Sequence, residues 1–118
     1  MDTVGSTGFP ALRTYLWAYT GFRDWTQDPS INQLSTTKTA TARFPATFIS
    51  VGDADPFRTQ EAELAHTLRA KGVPVTALTW APTDDHLGHE YQFNFTTPQA
   101  ETAFQDTLAF LSSRVGTT

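Results

Sequence analysis

Two acidic residues and two histidines stand where they could form a catalytic pair. Asp53 and Asp55 follow directly on the apolar run "ATFISV", and His86 and His89 lie in a polar stretch further along the chain. A carboxylate beside a histidine fixes the tautomer of the imidazole and stabilises its protonated form, which suits the histidine to act as a general base. The simpler interpretation of the two acids is turn chemistry, because Asp and Pro are common where strands end.

The segments that carry these residues read as strand, helix and strand. Residues 46–51 are a short run rich in β-branched and aromatic residues, residues 56–72 have a helical pattern that ends at Gly72, and residues 73–80 form a second β-like run. This order predicts two neighbouring parallel strands joined by a right-handed crossover helix. Adjacent strands lie roughly 4.8 Å apart, so the loops that leave the carboxyl ends of both strands would bring an Asp and a His together.

Further elements flank this βαβ unit. Leu12, Tyr15, Leu16 and Tyr19 recur at helical spacing and predict a helix over residues 10–21. The polar residues 26–44 predict a long loop that could hold a short helical turn. A last helix begins at Pro98, with Thr96 or Thr97 as its cap, so that residues 45–115 form a βαβα unit. Its apolar face is predicted to contain Ala100, Ala103, Phe104, Thr107, Leu108 and Leu111.

The composition limits the class of protein. The chain has 118 residues, with eight basic against twelve acidic side chains and a net charge of −4, which indicates a single domain and argues against a nucleic-acid or anionic-membrane partner. No run approaches the roughly 18 apolar residues of a membrane span, and the start lacks the features of a signal peptide. There is no cysteine, and therefore no disulfide, thiolate metal site or cysteine nucleophile. These features favour a soluble, cytoplasmic protein.

Three motifs in this order, "FPATFISVGDADPF", "GVPVTALTW" and "GHEYQF", resemble the C-terminal part of an α/β-hydrolase of the carboxylesterase and hormone-sensitive-lipase-like type. The resemblance extends from about Phe9 to Val115. It implies that Asp55, the residue before Pro56, is the acid of a Ser-Asp-His triad and that His89 is its histidine. It further implies a small-molecule ester substrate, an α/β fold and no cofactor.

The nucleophile that this family requires is not found in the sequence. Its serine lies in a Gly-x-Ser-x-Gly turn, but neither Ser6 nor Ser50, which have a glycine nearby, has that spacing. A His-Gly-Gly-Gly stretch is also missing, and the sequence resembles only the last third of a hydrolase. We therefore expect a partial α/β-hydrolase domain that is inactive alone and is completed by a serine-bearing segment. The alternative is a non-catalytic remnant of the same fold that serves binding or assembly.

Several residues near the predicted pair have simpler interpretations. Gly52 is expected to be a flexible hinge and Asp53 a turn residue, whereas His86 is expected in a surface loop and His66 on the solvent side of a helix. A metal site formed by Asp84, Asp85, His86 and His89 is a weak alternative, since their spacing matches no dedicated metal motif. An aromatic stripe could line an acyl pocket or pack in the core; it contains Tyr15, Trp17, Tyr19, Phe22 and Trp25.

The predicted sheet also has consequences for association. With only two strands, one edge would present unpaired N–H and C=O groups beside apolar surface that two or three helices cover only in part. We therefore expect the chain to form a homo-oligomer or to bind a partner chain that supplies the rest of the sheet.

Overall fold

A computed structural model describes residues 10–116 of the chain. Within this range the helices and strands are α1 (Pro10–Thr20), α2 (Thr36–Thr39), β1 (Thr47–Val51), α3 (Arg58–Ala70), β2 (Val75–Thr79) and α4 (Pro98–Ser112). Short 3-10 turns occur at Trp25–Gln27, Ile31–Leu34 and Tyr91–Phe93. None of the helices in this part of the chain is long and apolar enough to cross a membrane.

The predicted βαβ unit is confirmed. β1 and β2 pair in parallel, with Thr47 opposite Val75 and Val51 opposite Thr79, and α3 is the crossover between them. The β-branched residues of both strands suit a pleated surface. α3 ends because Gly72 takes a φ of +78°, a left-handed conformation that costs glycine little. The fold class is therefore α/β, as predicted.

Two small groups of buried side chains hold these elements together. The first contains Ala40, Leu68 and Val73, and it joins α3 to the segment before β1. The second contains Leu87, Tyr91 and Ala103, against which Leu78 and Trp80 pack. This second cluster fixes the loop after β2 on α4, and that loop carries His86 and His89.

The segment that precedes β1 has more structure than a loop. The buried Trp25 begins one 3-10 turn, a second turn follows, and α2 leads to the buried Ala40. The short helical turn that the sequence allows in residues 26–44 is therefore present. At the other end of the chain, Thr97 is the cap of α4, because its hydroxyl accepts a hydrogen bond from the Ala100 N–H.

The large apolar residues of the predicted helix faces are more exposed than the sequence pattern indicates. On α1, Leu12 and Leu16 are half-buried, but Tyr15 and Tyr19 are 64% and 76% exposed. On α4 the small residues Ala100 and Ala103 are buried, whereas three of the predicted inward residues are exposed: Phe104, Leu108 and Leu111. For α4 the reason is geometric: it packs on β1 of a sheet that has only two strands in residues 10–116, and so narrow a surface covers only part of one helix face. α1 packs mainly on the Trp25–Gln27 turn, so the sheet does not cover its tyrosines.

Candidate active site

Asp55 and His89 lie together beyond the carboxyl ends of the two strands. The Asp55 Oδ2 atom is 3.1 Å from the His89 Nδ1 atom. The other carboxylate oxygen of Asp55 accepts a hydrogen bond from the Phe57 N–H at 2.8 Å. The Asp55 side chain is 7% exposed and the His89 side chain 54%. The carboxylate is thus held inside the loop while the imidazole reaches toward solvent.

The contacts of the imidazole define what it can do chemically. With Nδ1–H donating to the Asp55 carboxylate, the neutral ring keeps its lone pair on Nε2. Nε2 makes no hydrogen bond to another residue in the range 10–116. The ring of Phe57 meets the imidazole edge-on, with 5.0 Å between centroids, and restricts its rotation. The arrangement presents Nε2 as a base for a proton donor outside this pair.

Gly52 brings the two loops into close contact and is not the hinge that the sequence suggests. A Cβ atom at this position would lie 2.1 Å from the carbonyl oxygen of Leu87 and 2.9 Å from that of Gly88. The same Leu87 oxygen accepts a hydrogen bond from the Ala54 N–H at 2.9 Å. Only glycine allows the backbone after β1 to approach the histidine loop this closely.

Asp53 connects the loops and is more than a turn residue. Its carboxylate accepts hydrogen bonds from the Thr83 N–H at 2.6 Å and from the Leu87 N–H at 2.7 Å, and the Thr83 hydroxyl lies 3.2 Å from both of its oxygens. These bonds, first among them that from the Thr83 backbone, lower the pKa of Asp53, against a smaller opposing effect of burial. Two backbone N–H groups 30 and 34 positions away carry no sequence signal, so residue types alone could not predict this role.

Arg58 also links the two chain segments that follow β1 and β2. Its guanidinium donates to the carbonyl oxygens of Asp53, at 3.2 Å, and Trp80, at 3.1 Å. The first residue of α3 thereby joins the chain after β1 to the chain after β2. Because both acceptors are backbone carbonyl groups, no residue type in the sequence marks this contact.

Tyr91 anchors the chain on the far side of His89. Its hydroxyl accepts a hydrogen bond from the Trp80 indole N–H at 2.8 Å and lies 2.5 Å from the Ser50 hydroxyl. Tyr91 is 5% exposed. Glu90, between His89 and Tyr91, has a φ of +60°, a left-handed conformation that turns the chain there. His89 therefore stands between two buried anchors, Leu87 and Tyr91.

The alternative sites considered in the sequence, namely the other two histidines, a metal site and an aromatic pocket, do not form at the Asp55–His89 pair. His66 and His86 are both exposed, His66 on α3 and His86 in the loop with a φ of +47°. No three or more His, Cys, Asp or Glu side chains in residues 10–116 are grouped so as to hold a metal ion, including those of the "DDHLGH" loop. Of the five residues in the aromatic stripe, only Trp25 is buried, so neither a shared core nor a closed pocket forms from them.

Glu61, in the first turn of α3, is half-buried near the pair. Burial raises its pKa, the charge of Asp55 raises it further, and His89 opposes the shift. A glutamate whose pKa rises on folding stabilises the fold fully below its ordinary value of 4.5, and that contribution is lost as the pH rises through the raised value. At neutral pH the charged Glu61 is therefore a net cost to the fold.

Glu61→Gln is accordingly expected to raise the Tm at pH 7 and to change it less at pH 4, where more of the wild-type side chain is protonated. Glu63→Gln is the matched control, since Glu63 is exposed on the same helix. Thermal unfolding followed by circular dichroism at the two pH values measures the difference. A Glu61→Gln variant that melts at or below the control at pH 7 would contradict this assignment.

Comparison with known protein families gives an independent result. Residues 7–89 match a family described as having the alpha/beta hydrolase fold. No curated protein and no solved structure matches the chain. The matched range covers more than two thirds of the sequence, includes both strands and α3, and contains both Asp55 and His89. Together with the parallel strands and their crossover helix, this match shows that the chain belongs to the α/β-hydrolase fold family.

Proposed function

We propose that the chain carries the acid and the histidine of a Ser-Asp-His triad in a carboxylic-ester hydrolase, of the carboxylesterase and hormone-sensitive-lipase-like type. The observation that supports the proposal most directly is the 3.1 Å separation of Asp55 Oδ2 and His89 Nδ1 beyond the carboxyl ends of two adjacent parallel strands. Catalytic side chains of open α/β sheets collect at that edge.

The proposed mechanism needs a serine from a segment that this sequence does not contain. We call the chain together with such a segment, joined to it or bound as a second polypeptide, the completed hydrolase. In it, His89 Nε2 takes the proton of the serine as the serine oxygen attacks the ester carbonyl, and it then protonates the leaving alkoxide. Water then attacks the acyl-enzyme as His89 Nε2 takes its proton, and the return of that proton to the serine oxygen releases the carboxylic acid and restores the serine. Asp55 holds the Nδ1–H tautomer and stabilises the imidazolium; no cofactor takes part.

The chain by itself is expected to show negligible ester hydrolysis. None of its serines lies in a Gly-x-Ser-x-Gly turn, and a triad without its nucleophile loses about as much rate as one without all three members. Release of nitrophenol from 4-nitrophenyl acetate and butyrate measures this. The wild-type chain and His89→Ala should give the same slow rate, whereas turnover of about 1 s⁻¹ or more that His89→Ala abolishes would mean that the chain holds its own nucleophile.

A second candidate function, a non-catalytic binding or assembly module, is favoured by the apolar surface of α4. A groove of about 600 Å³ lies beside this helix. Its lining includes Phe93, Phe95 and Phe104, which are 71%, 60% and 44% exposed. Aromatic surface of this kind is usual where proteins associate. The same surface suits the completed hydrolase, in which a serine-bearing segment would cover it.

We expect the purified chain to self-associate through this groove, or to bind a partner chain there. Sedimentation at tens of micromolar should show a dimer or larger species, and the double variant Phe95→Ser/Phe104→Ser should shift it toward monomer. Tyr19→Ser, which removes from α1 an aromatic ring that is more exposed than either phenylalanine, should not. A wild-type monomer that melts cooperatively contradicts the expectation.

We further propose a cytoplasmic location without nucleic-acid or membrane partners. This part of the proposal rests on the composition and the net charge of −4 alone.

A further inference from the structure

The carboxylate of Asp53 spans the gap between the loop that carries Asp55 and the loop that carries His89. It accepts short hydrogen bonds from two backbone N–H groups of the second loop, those of Thr83 and Leu87. Between these two residues the His86 N–H donates to the Thr83 carbonyl, so the bonds from Asp53 close a compact turn at both ends. One side chain thereby fixes the conformation of the loop that leads to His89.

The peptide groups of Leu87 are held on both sides. The Leu87 N–H donates to Asp53 and its carbonyl oxygen accepts from the Ala54 N–H at 2.9 Å, while Gly52 leaves room for the contact. The Leu87 side chain is 3% exposed and packs on Tyr91 and Ala103. Leu87 is thus the fixed point of the loop, and it stands two residues before His89.

His89 itself has few contacts that could place it. Its side chain is 54% exposed, and within residues 10–116 its hydrogen bond is to the Asp55 carboxylate and its ring contact is with Phe57. The position of the imidazole therefore depends on the backbone between Leu87 and Tyr91. A substitution that removes the hydrogen bonds of Leu87 would therefore also free the His89 ring to move.

We propose that Asp53 is a positioning residue for the reaction: by holding Leu87 and Thr83, it keeps the His89 Nδ1–H directed at Asp55. This inference rests on the proposed function. The role requires a carboxylate, because it accepts from two N–H groups and a hydroxyl at once. Asparagine at position 53 would turn an NH₂ group toward one of those donors. The Asp53→Asn substitution, which replaces one carboxylate oxygen by nitrogen, therefore tests the role.

The test uses the chain as it is, labelled with ¹⁵N. The nitrogen shifts of the His89 imidazole report which nitrogen carries the proton, when they are measured at a pH above which they no longer change. The exposed His66 provides the reference in the same spectrum. In the wild-type chain His89 is expected to differ from His66 and to show a protonated Nδ1. In Asp53→Asn the His89 shifts should move to those of His66, while Asp84→Asn, an equal charge change on the loop that carries His89, should leave them unchanged.

Hydrogen exchange gives a second readout, which needs no variant to fold. In the wild-type chain the Thr83 and Leu87 amides should exchange about tenfold more slowly, or slower still, than the Asp84 and Asp85 amides, because bonds to a charged acceptor are strong. Equal exchange rates overturn the inference, as does a folded Asp53→Asn chain with unaltered His89 shifts.

The two proposals fail in different ways. A wild-type His89 that resembles His66 contradicts the Asp55–His89 bond and therefore the proposed function. A wild-type His89 with a protonated Nδ1 that Asp53→Asn leaves in place contradicts the role of Asp53 alone.

Discussion

Replacing His89 by alanine is expected to lower the kcat of the completed hydrolase on the order of 10⁶-fold, because the members of a triad act as a unit. The substitution removes the base that accepts the serine proton and the acid that protonates the leaving alkoxide. Asp55→Asn should cost less, on the order of 10⁴-fold, since the imidazole remains but its tautomer is no longer fixed. Both losses should appear in kcat with 4-nitrophenyl butyrate.

His66→Ala is the matched control for this prediction. His66 is exposed on α3 and makes no contact with the Asp55–His89 pair, so its replacement should leave kcat unchanged. A completed hydrolase that keeps its rate in His89→Ala, or that loses as much rate in His66→Ala, would show that the histidine has been assigned wrongly.

Gly52→Ala is the second change for which a large effect is expected. The new methyl carbon would lie 2.1 Å from the Leu87 carbonyl oxygen and 2.7 Å from its carbon, both backbone atoms that cannot rotate away. The loops must separate, at a cost of about 1–3 kcal/mol or more for such overpacking. Total stability is commonly about 5–15 kcal/mol, so urea unfolding should detect the change easily. Displacing His89 by about 1 Å should also cost the completed hydrolase about 10²-fold in kcat.

Gly88→Ala provides the control, because a Cβ atom there meets nothing within 4 Å. Its effect on unfolding should stay within about 0.5 kcal/mol, as for most surface substitutions. If Gly52→Ala is as stable as Gly88→Ala, the close approach of the two loops described here is wrong, and with it the structural reason for glycine at position 52.

The elements that position the site could be predicted because each has a local sequence signal. Short β-branched runs predict both strands, Gly72 ends the helix between them, and strand–helix–strand order dictates a parallel pair. From there, a general property of parallel sheets brings the loops of Asp55 and His89 to one edge. The observed 3.1 Å between the two side chains agrees with that expectation.

The contacts that hold the pair in place could not be predicted in this way. Asp53 bonds to backbone N–H groups, which every residue except proline possesses, so no residue type marks its partners. The need for glycine at position 52 depends on where the Leu87 carbonyl lies after folding. The hydrogen bond between Ser50 and Tyr91 joins residues 41 positions apart that carry no shared motif.

The degree of burial of the aromatic residues also cannot be predicted from the helical periodicity of the sequence. The spacing of Tyr15 and Tyr19, or of Phe104 and Leu108, predicts that they share a helix face, but it does not say what covers that face. The two-stranded sheet covers only part of α4, and α1 packs mainly on the Trp25–Gln27 turn, so these side chains remain exposed. The pattern therefore predicts the amphipathic helix correctly and the degree of burial wrongly.

The most direct test of the Asp55–His89 assignment is kcat/KM for 4-nitrophenyl butyrate in an assembled hydrolase. The serine-bearing part of a carboxylesterase of this fold is combined with the wild-type chain, with Asp55→Ala or with His89→Ala, and sedimentation verifies that each pair assembles equally. Hydrolysis is expected only with the wild-type chain, and neither part alone should exceed the uncatalysed rate. Equal rates for the wild-type and His89→Ala assemblies would contradict the assignment.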